Sequence, residues 1–387
     1  MYTIMNIGLN AIGFIPYKTG GIEYYFRNLL HHLQLLDHTN TYTIFCNPHN
    51  LEHLKLAQPN FHLKVLRFTR RSFLWYVRGV VRQILKIDIL SGFYDKNASD
   101  VIHHPSVVFV PMGLKTPSVV TYHDMQHEFY PQFFSSTDIR IRKSTDEPVL
   151  RAAVRVIAIS HFTKRCIVER FSLDENKIDV IYEGYGPRFK VIRDYVRLKN
   201  IRKKYRLMRP FMFYPSGTWP HKNHINLLSA LKLLIDRQGF DGELVLTGIS
   251  MKSHKNILNQ IENLSLGKHV KILGFIDYDD LPALYSLARM LVYPSLFEGF
   301  GLPLVEAMAC GCPVVCSHAA SLPEVMGDKG IFFDPASIED MAEKILRVWN
   351  DDDVRQKLKL QGFERSRMFT WTEAAQKTSR VYEKAIS

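Results

Sequence analysis

LVYPSLFEGFGLPLVEAMA, residues 291–309, decides the architecture. It begins as a short apolar run and passes through a loop carrying Gly299 and Gly301. It continues as an apolar stretch with Pro303 near its start, where a missing N–H costs little in a helix. A strand handing over to a helix through a glycine loop is the repeating unit of a parallel α/β sheet. Ligands of such sheets bind beyond the carboxyl ends of the strands. Unhindered backbone N–H groups at the helix start form an anion site suited to a phosphate. Glu298 lies in the loop and Glu306 further into the helix, so both carboxylates can face one crevice. Each can accept two hydrogen bonds from a vicinal diol such as that of a ribose or hexose. An acid interacting with the helix dipole accounts for Glu298 alone, and leaves Glu306 unexplained.

Working outward, short β-rich runs recur at 5–9, 42–45, 101–103, 118–122, 156–159 and 178–182. A second series follows at 211–214, 243–247, 270–273, 290–293, 313–316 and 330–333, with helical patterns between, as at 21–36, 223–238, 281–288 and 304–309. Two series of strands alternating with helices predict two parallel-sheet domains, which suits 387 residues at about 150 per domain. The seam falls near 186–210, where residues 188–209 hold ten Lys/Arg against one acid, Asp194. The expected division is 1–187, a basic connecting helix over 188–209, 210–370, and a terminal helix over 371–387.

Composition narrows the class. Hydrophobic residues make up 46% and charged residues 23%, a globular balance, and a net charge of +12 favours an anionic partner. Five cysteines in a chain this long are no disulfide framework and fit a reducing compartment. No apolar run is long enough to span a bilayer, and the first residues lack a signal-peptide pattern, so a soluble cytoplasmic protein is expected. Residues 70–86, bounded by Arg70 and Lys86, place Arg71, Arg78, Arg82 and Lys86 on one helical face and Phe73, Val77, Val80, Val81 and Ile84 mostly on another. Such a helix fits peripheral contact with an anionic membrane or, equally, an ordinary surface helix packed on the sheet.

Several rival readings fail. No nucleic-acid-binding signature accompanies the basic stretch, so no nucleic-acid partner is expected. No G-x-G-x-x-G follows the first strand, which argues against a nicotinamide enzyme. Asp277-Tyr278-Asp279 fits a metal-holding D-x-D pattern, but it directly precedes a helix and reads better as a cap. Cys310, Cys312 and Cys316 lack metal-ligand spacing and read as small buried residues. His103, His104 and His127 read as core or loop histidines.

The segment EGFGLPLVEAMACGCPVV, 298–315, closely resembles the E-x7-E signature of retaining GT-B glycosyltransferases of the family 4, group 1 type, which include bacterial mannosyl- and glucosyltransferases of surface polysaccharides. The resemblance extends to Gly20-Gly21, to His123-Asp124, to the stretch YPSGTWPHKN at 214–223, to VLTG at 245–248, to LGFI at 273–276 and to FTWT at 369–372. It implies a GT-B architecture, two Rossmann-like doubly wound domains facing a central cleft, the first binding the acceptor and the second the nucleotide-sugar donor, with the terminal helix crossing back to the first. It implies that Glu306 binds the donor ribose, that Glu298 contacts the transferred sugar and that Lys222 neutralises the diphosphate. The N–H groups of Gly299, Phe300 and Gly301 would hold the distal phosphate, Leu302 would also border the donor, and Gly274, Phe275 and Ile276 would lie near the base. His123 would orient the donor sugar beside Gly20 and Gly21. One departure stands out: many relatives carry an arginine before the lysine, where this chain has Ser216-Gly217-Thr218.

The expected activity is retaining transfer of a hexose to a hydroxyl of a glycan or lipid-linked acceptor in surface-polysaccharide synthesis, without metal or other cofactor. GDP-mannose is the preferred donor. A UDP-sugar donor and, more remotely, a sugar-nucleotide epimerase are the alternatives.

Overall fold

The computed structural model describes residues 4–13, 21–66, 77–78, 81, 88, 90–107, 110–111 and 113–387. Gly20 and most of the 70–86 stretch, including Arg70, Arg71, Arg82 and Lys86, lie outside the described residues.

The chain forms two units, each built on one parallel sheet. The first sheet comprises β1 (Asn6–Asn10), β2 (Thr41–Cys46), β3 (Phe61–Val65), β4 (Val101–His104), β5 (Ser118–Tyr122), β6 (Arg155–Ala158) and β7 (Ile178–Val180). Its order is β3-β2-β1-β4-β5-β6-β7, so the direction of winding reverses between β1 and β4. The second sheet comprises β8 (Phe211–Pro215), β9 (Glu243–Thr247), β10 (Val270–Gly274), β11 (Met290–Tyr293), β12 (Val314–Ser317) and β13 (Ile331–Phe333). Its order is β10-β9-β8-β11-β12-β13, with the reversal between β8 and β11. β4, β5, β9, β11 and β12 are buried along their whole length, which is why they read as continuous apolar or β-branched runs rather than as alternating patterns.

The units do not follow the chain simply. The first contains Met1–His127, Phe134–Glu183 and Trp371–Ser387; the second contains Glu128–Phe133 and Gly184–Thr370. The helix Trp371–Ile386 completes the first core, where Trp371, Val381 and Tyr382 join Leu29, Ile44 and Tyr42. The short insert 128–133 packs on the second unit, with the rings of Phe129 and Phe297 5.1 Å apart.

The basic stretch 188–209, expected as a connecting helix between the domains, belongs to the second unit. Its helix Tyr195–Lys204 buries Ile201 and is capped by Asp194, whose carboxylate accepts the Arg197 N–H at 3.1 Å. Arg188 pairs with Asp279, and Lys204 Nζ lies 2.5 Å from Asp280. The carboxylates of the D-x-D region therefore answer these cations. Asp280, rather than Asp279, occupies the N-cap of the next helix, and it makes no side-chain cap bond there because its carboxylate takes Lys204 and the Tyr205 hydroxyl. Arg78 likewise departs from the membrane-facing row: it is buried, 4% exposed, and forms a bidentate pair with Asp88. Cys310, Cys312 and Cys316 are free and buried, as their spacing implied.

Candidate active site

The second sheet concentrates its chemistry at the β8–β11 reversal, where a doubly wound sheet opens a crevice. After β8 the chain runs through Ser216, Gly217 and Thr218 into the one-turn helix Pro220–Lys222, then turns at Asn223 into the helix His224–Gln238. Asn223 adopts φ 58°, a left-handed conformation that asparagine tolerates well, and its amide donates to the carbonyls of Pro294 and Pro335. The Tyr214 hydroxyl donates to the Lys222 carbonyl at 2.7 Å. These bonds fix where Lys222 leaves the backbone.

After β11 the loop to the helix Leu302–Ala309 carries Glu298. The Ser321 hydroxyl bonds the carbonyls of Glu298 (2.9 Å) and Phe300 (2.8 Å), and the Leu296 N–H donates to the His221 carbonyl (2.8 Å). Gly301 sits at φ 111°, and a Cβ there would come within 2.7 Å of Leu322, so only glycine fits.

Lys222 and Glu298 meet in the crevice. Lys222 Nζ lies 2.5 Å from Glu298 Oε1 and donates to the Tyr293 hydroxyl at 3.1 Å, while that hydroxyl donates to Glu298 Oε1 at 3.0 Å. The two charged side chains are 15% and 14% exposed, reachable yet largely dry. Burial acts to raise the Glu298 carboxyl, but the charges of Lys222 and His221 and the hydrogen bonds from Lys222 and Ser295 outweigh it. They hold Glu298 below the usual glutamate range, so it is ionised.

Glu306 is placed differently. It is 5% exposed, and its two oxygens accept the hydroxyls of Tyr278 and Tyr285, each at 3.1 Å. Burial pushes its carboxyl up to about 8, against those hydrogen bonds and the charge of Arg188. Both glutamates act on Tyr293, whose hydroxyl is raised first by burial and then by the charges of Glu298 and Glu306.

The remaining donor-site candidates border the same sheet edge. Thr218 is buried, and its hydroxyl accepts the Met251 N–H at 2.6 Å, which knits the β8 loop to the loop after β9. Gly217 packs against Ile249. Gly274 ends β10 at φ 67°, Phe275 beyond it is 79% exposed, and Ile276 is buried. Leu302 opens the helix after Gly301.

His123 belongs to the first unit, after β5. Its Nε2 lies 2.8 Å from the Pro105 carbonyl and its Nδ1 3.5 Å from Glu183, so both nitrogens face acceptors, the arrangement an imidazolium satisfies. Burial would lower its pKa, but Glu183, Pro105 and Asp124 together raise it. The Tyr25 ring meets its edge at 5.0 Å. Gly21 starts the helix Gly21–Leu36 with open space where a Cβ would stand. Sequence reasoning missed Tyr293, Ser321 and Glu183. The first was in view as an apolar strand residue, and the other two carry no local motif.

Two family models match this chain almost end to end: Glycosyltransferase Family 4 over residues 19–188 and Glycosyl transferases group 1 over 198–365. The chain is a family 4, group 1 glycosyltransferase. This transferase is similar to O-antigen chain mannosyltransferase B of Escherichia coli, 29% identical over 289 residues, 74% of this chain and 75% of that protein. It is 32% identical to the serotype-specific mannosyltransferase WbdA of E. coli over 224 residues, 57% of this chain but only 27% of that longer protein. Among solved structures, sucrose-phosphate synthase of Thermosynechococcus elongatus superposes with a TM-score of 0.76 at 21% identity, over 98% of both chains. The two parallel-sheet units of this transferase are those of the GT-B fold.

Proposed function

We propose that this transferase moves a mannosyl group from GDP-mannose to a hydroxyl of a glycan or lipid-linked glycan in surface-polysaccharide synthesis, with retention at the anomeric carbon and without a metal. The observation that carries the reading is the Lys222–Tyr293–Glu298 cluster, an ion pair held in a nearly dry crevice at the reversal of the second sheet. The names of the O-antigen mannosyltransferase relatives support the choice of sugar.

In this reading the Lys222 ammonium turns from Glu298 to the donor diphosphate, where charge accumulates as the bond from the anomeric carbon to the phosphate oxygen breaks. Glu298, ionised and released, accepts hydroxyls of the mannose. The N–H groups of Gly299, Gly301 and Leu302 hold the distal phosphate, Glu306 takes the ribose, and Phe275 covers the base. The acceptor oxygen bonds the anomeric carbon on the face the leaving group vacates, and its proton passes to the departing phosphate oxygen. His123 orients the sugar.

Peripheral contact with an anionic cytoplasmic membrane belongs to this reading through Arg71, Arg82 and Lys86, since Arg78 is committed to Asp88. No helix among the described residues is long and apolar enough to cross a membrane.

The test is nucleotide release and product formation from GDP-mannose, UDP-glucose and UDP-N-acetylglucosamine, with mannose-terminated oligosaccharides as acceptors and with and without EDTA. Turnover of GDP-mannose into an α-linked product, unaffected by EDTA, is expected. Turnover of a UDP-sugar alone reassigns the donor, and a β-linked product refutes retention.

A further inference from the structure

β11 ends on Tyr293, a buried residue whose hydroxyl lies between Lys222 and Glu298. Protons fix the direction of both bonds. An ammonium only donates, so the Tyr293 oxygen accepts from Lys222 Nζ at 3.1 Å. The phenol has one proton of its own, and it goes to Glu298 Oε1 at 3.0 Å. Burial raises the Tyr293 hydroxyl well above the usual tyrosine range, and the charges of Glu298 and Glu306 push the same way. The phenol therefore keeps its proton at physiological pH and acts as a donor, never as a base. Tyr293 pairs with Cys316 of β12, and the Tyr214 ring stands perpendicular to its own at 5.4 Å, so the phenol is held where it is.

The partners of Glu298 differ in whether they can leave. In the proposed function Lys222 turns to the diphosphate, and Glu298 loses its largest favourable charge in a place where burial acts to protonate it. The negative diphosphate pushes the same way. What then remains is the charge of His221, a bond from Ser295 and the bond from Tyr293. Tyr214, the other phenol that feels the charge of Glu298, gives its proton to the Lys222 carbonyl at 2.7 Å. Lys222 sits at the end of a long side chain on a loop, whereas Tyr293 belongs to a buried strand and stays. Both bond Oε1, so hydroxyls of a ligand can approach Oε2 with the Tyr293 bond intact. A phenylalanine would fill the same space in the strand, and the hydroxyl is the part that packing does not require.

We propose that Tyr293 is a positioning residue for the transfer, its hydroxyl holding the Glu298 carboxylate in place for the donor's sugar hydroxyls while Lys222 serves the diphosphate. It rests on the roles given to Lys222 and Glu298 in the proposed function and adds Tyr293 to them.

The test is calorimetric titration of the wild type and Tyr293→Phe with GDP, GDP-mannose, UDP and UDP-glucose, near pH 5.5 and near pH 8.5, with no acceptor present. The sugar nucleotide that binds more tightly is compared with its own bare nucleotide. Near pH 5.5 Tyr293→Phe should bind that sugar nucleotide about tenfold more weakly, with a smaller loss for the bare nucleotide. Removing a donor from an ionised carboxylate raises its pKa, so the loss should shrink near pH 8.5, where Glu298 ionises without help. No loss, an equal loss for both ligands, or a loss that does not change with pH overturns the inference. Glu298→Gln separates it from the reading on which it rests. If that variant weakens the sugar nucleotide and Tyr293→Phe does not, this inference alone falls. If Glu298→Gln binds the sugar nucleotide as the wild type does, or the wild type binds none of the four ligands, the role of Glu298 falls and this inference with it.

Discussion

Lys222 and Glu298 neutralise each other at 2.5 Å with little exposure, and in the proposed reaction that cation serves the donor diphosphate. Removing that cation affects the two ends of the reaction unequally. In Lys222→Ala the leaving group loses its compensating charge, and Glu298, deprived of its largest favourable partner, moves up toward protonation. The expected result is a fall in kcat of about 100-fold or more, the scale for loss of one preorganised charge-stabilising donor, with a smaller change in donor KM. Steady-state kinetics at saturating donor check this; an unchanged kcat removes Lys222 from the chemistry. Glu306 makes a contrary prediction because its folded pKa, about 8, lies above the ordinary glutamate value of 4.5. Between those values the folded state binds a proton that the unfolded state has released, so stability falls as pH rises through the window. Glu306→Gln lacks this liability. Its melting temperature should match the wild type near pH 4.5 and exceed it by a few degrees at pH 8.5, while donor KM rises about tenfold. A melting difference that does not grow with pH contradicts the burial of a neutral Glu306.

The loop between β11 and the helix Leu302–Ala309 shows how an element turns these residues into a site. Ser321 ties two of its carbonyls from a neighbouring segment, and Gly301 lets the chain turn where any Cβ would strike Leu322. Ser321→Ala leaves the carbonyls of Glu298 and Phe300 without that donor. It should cost about 1–3 kcal/mol of stability and lower kcat/KM for the donor, whereas Ser321→Thr, which restores the hydroxyl, should recover most of the activity. Chemical denaturation and donor kinetics on both variants decide it. The glycines and both glutamates of this loop were legible in sequence because they are local: strand, turn and helix succeed one another within twenty residues. Twelve of the thirteen strands among the described residues were legible for the same reason, each a short local run rich in apolar or β-branched residues. β3 was not, because it is an edge strand that exposes His62, Leu63 and Lys64 and so carries no apolar signature. Ser321 and Glu183 escaped for a different reason: each acts on a partner 20 to 60 residues away, through contacts that only the folded chain creates.

Over the whole molecule, the chain does not finish one unit before beginning the other. The terminal helix was expected to return to the first unit, and its residues Trp371, Ala374, Ala375, Val381, Tyr382 and Ala385 belong to that unit's core. The insert 128–133 was not anticipated, since nothing in EFYPQF announces which sheet it will join. The basic stretch was expected as a solvated connecting helix; a helix is there, but it belongs to the second unit, because the carboxylates that answer its cations, Asp279 and Asp280, lie some eighty residues on. This interleaving separates the two units in a testable way. Burying a large side chain contributes about 1.5–3 kcal/mol, so Trp371, Val381 and Tyr382 together are comparable with the roughly 5–15 kcal/mol that holds a domain folded. Ending the chain after Thr370 removes them and strips His103 of its Tyr382 partner, yet touches none of Lys222, Tyr293, Glu298 or Glu306. Hydrogen exchange on the shortened chain should therefore find β1 to β7 rapidly exchanging and β8 to β13 still protected, with GDP adding protection near Lys222 and Glu298. Protection retained in both sheets would mean that the first core stands without its terminal helix; loss in both would mean that the second unit depends on the first to fold.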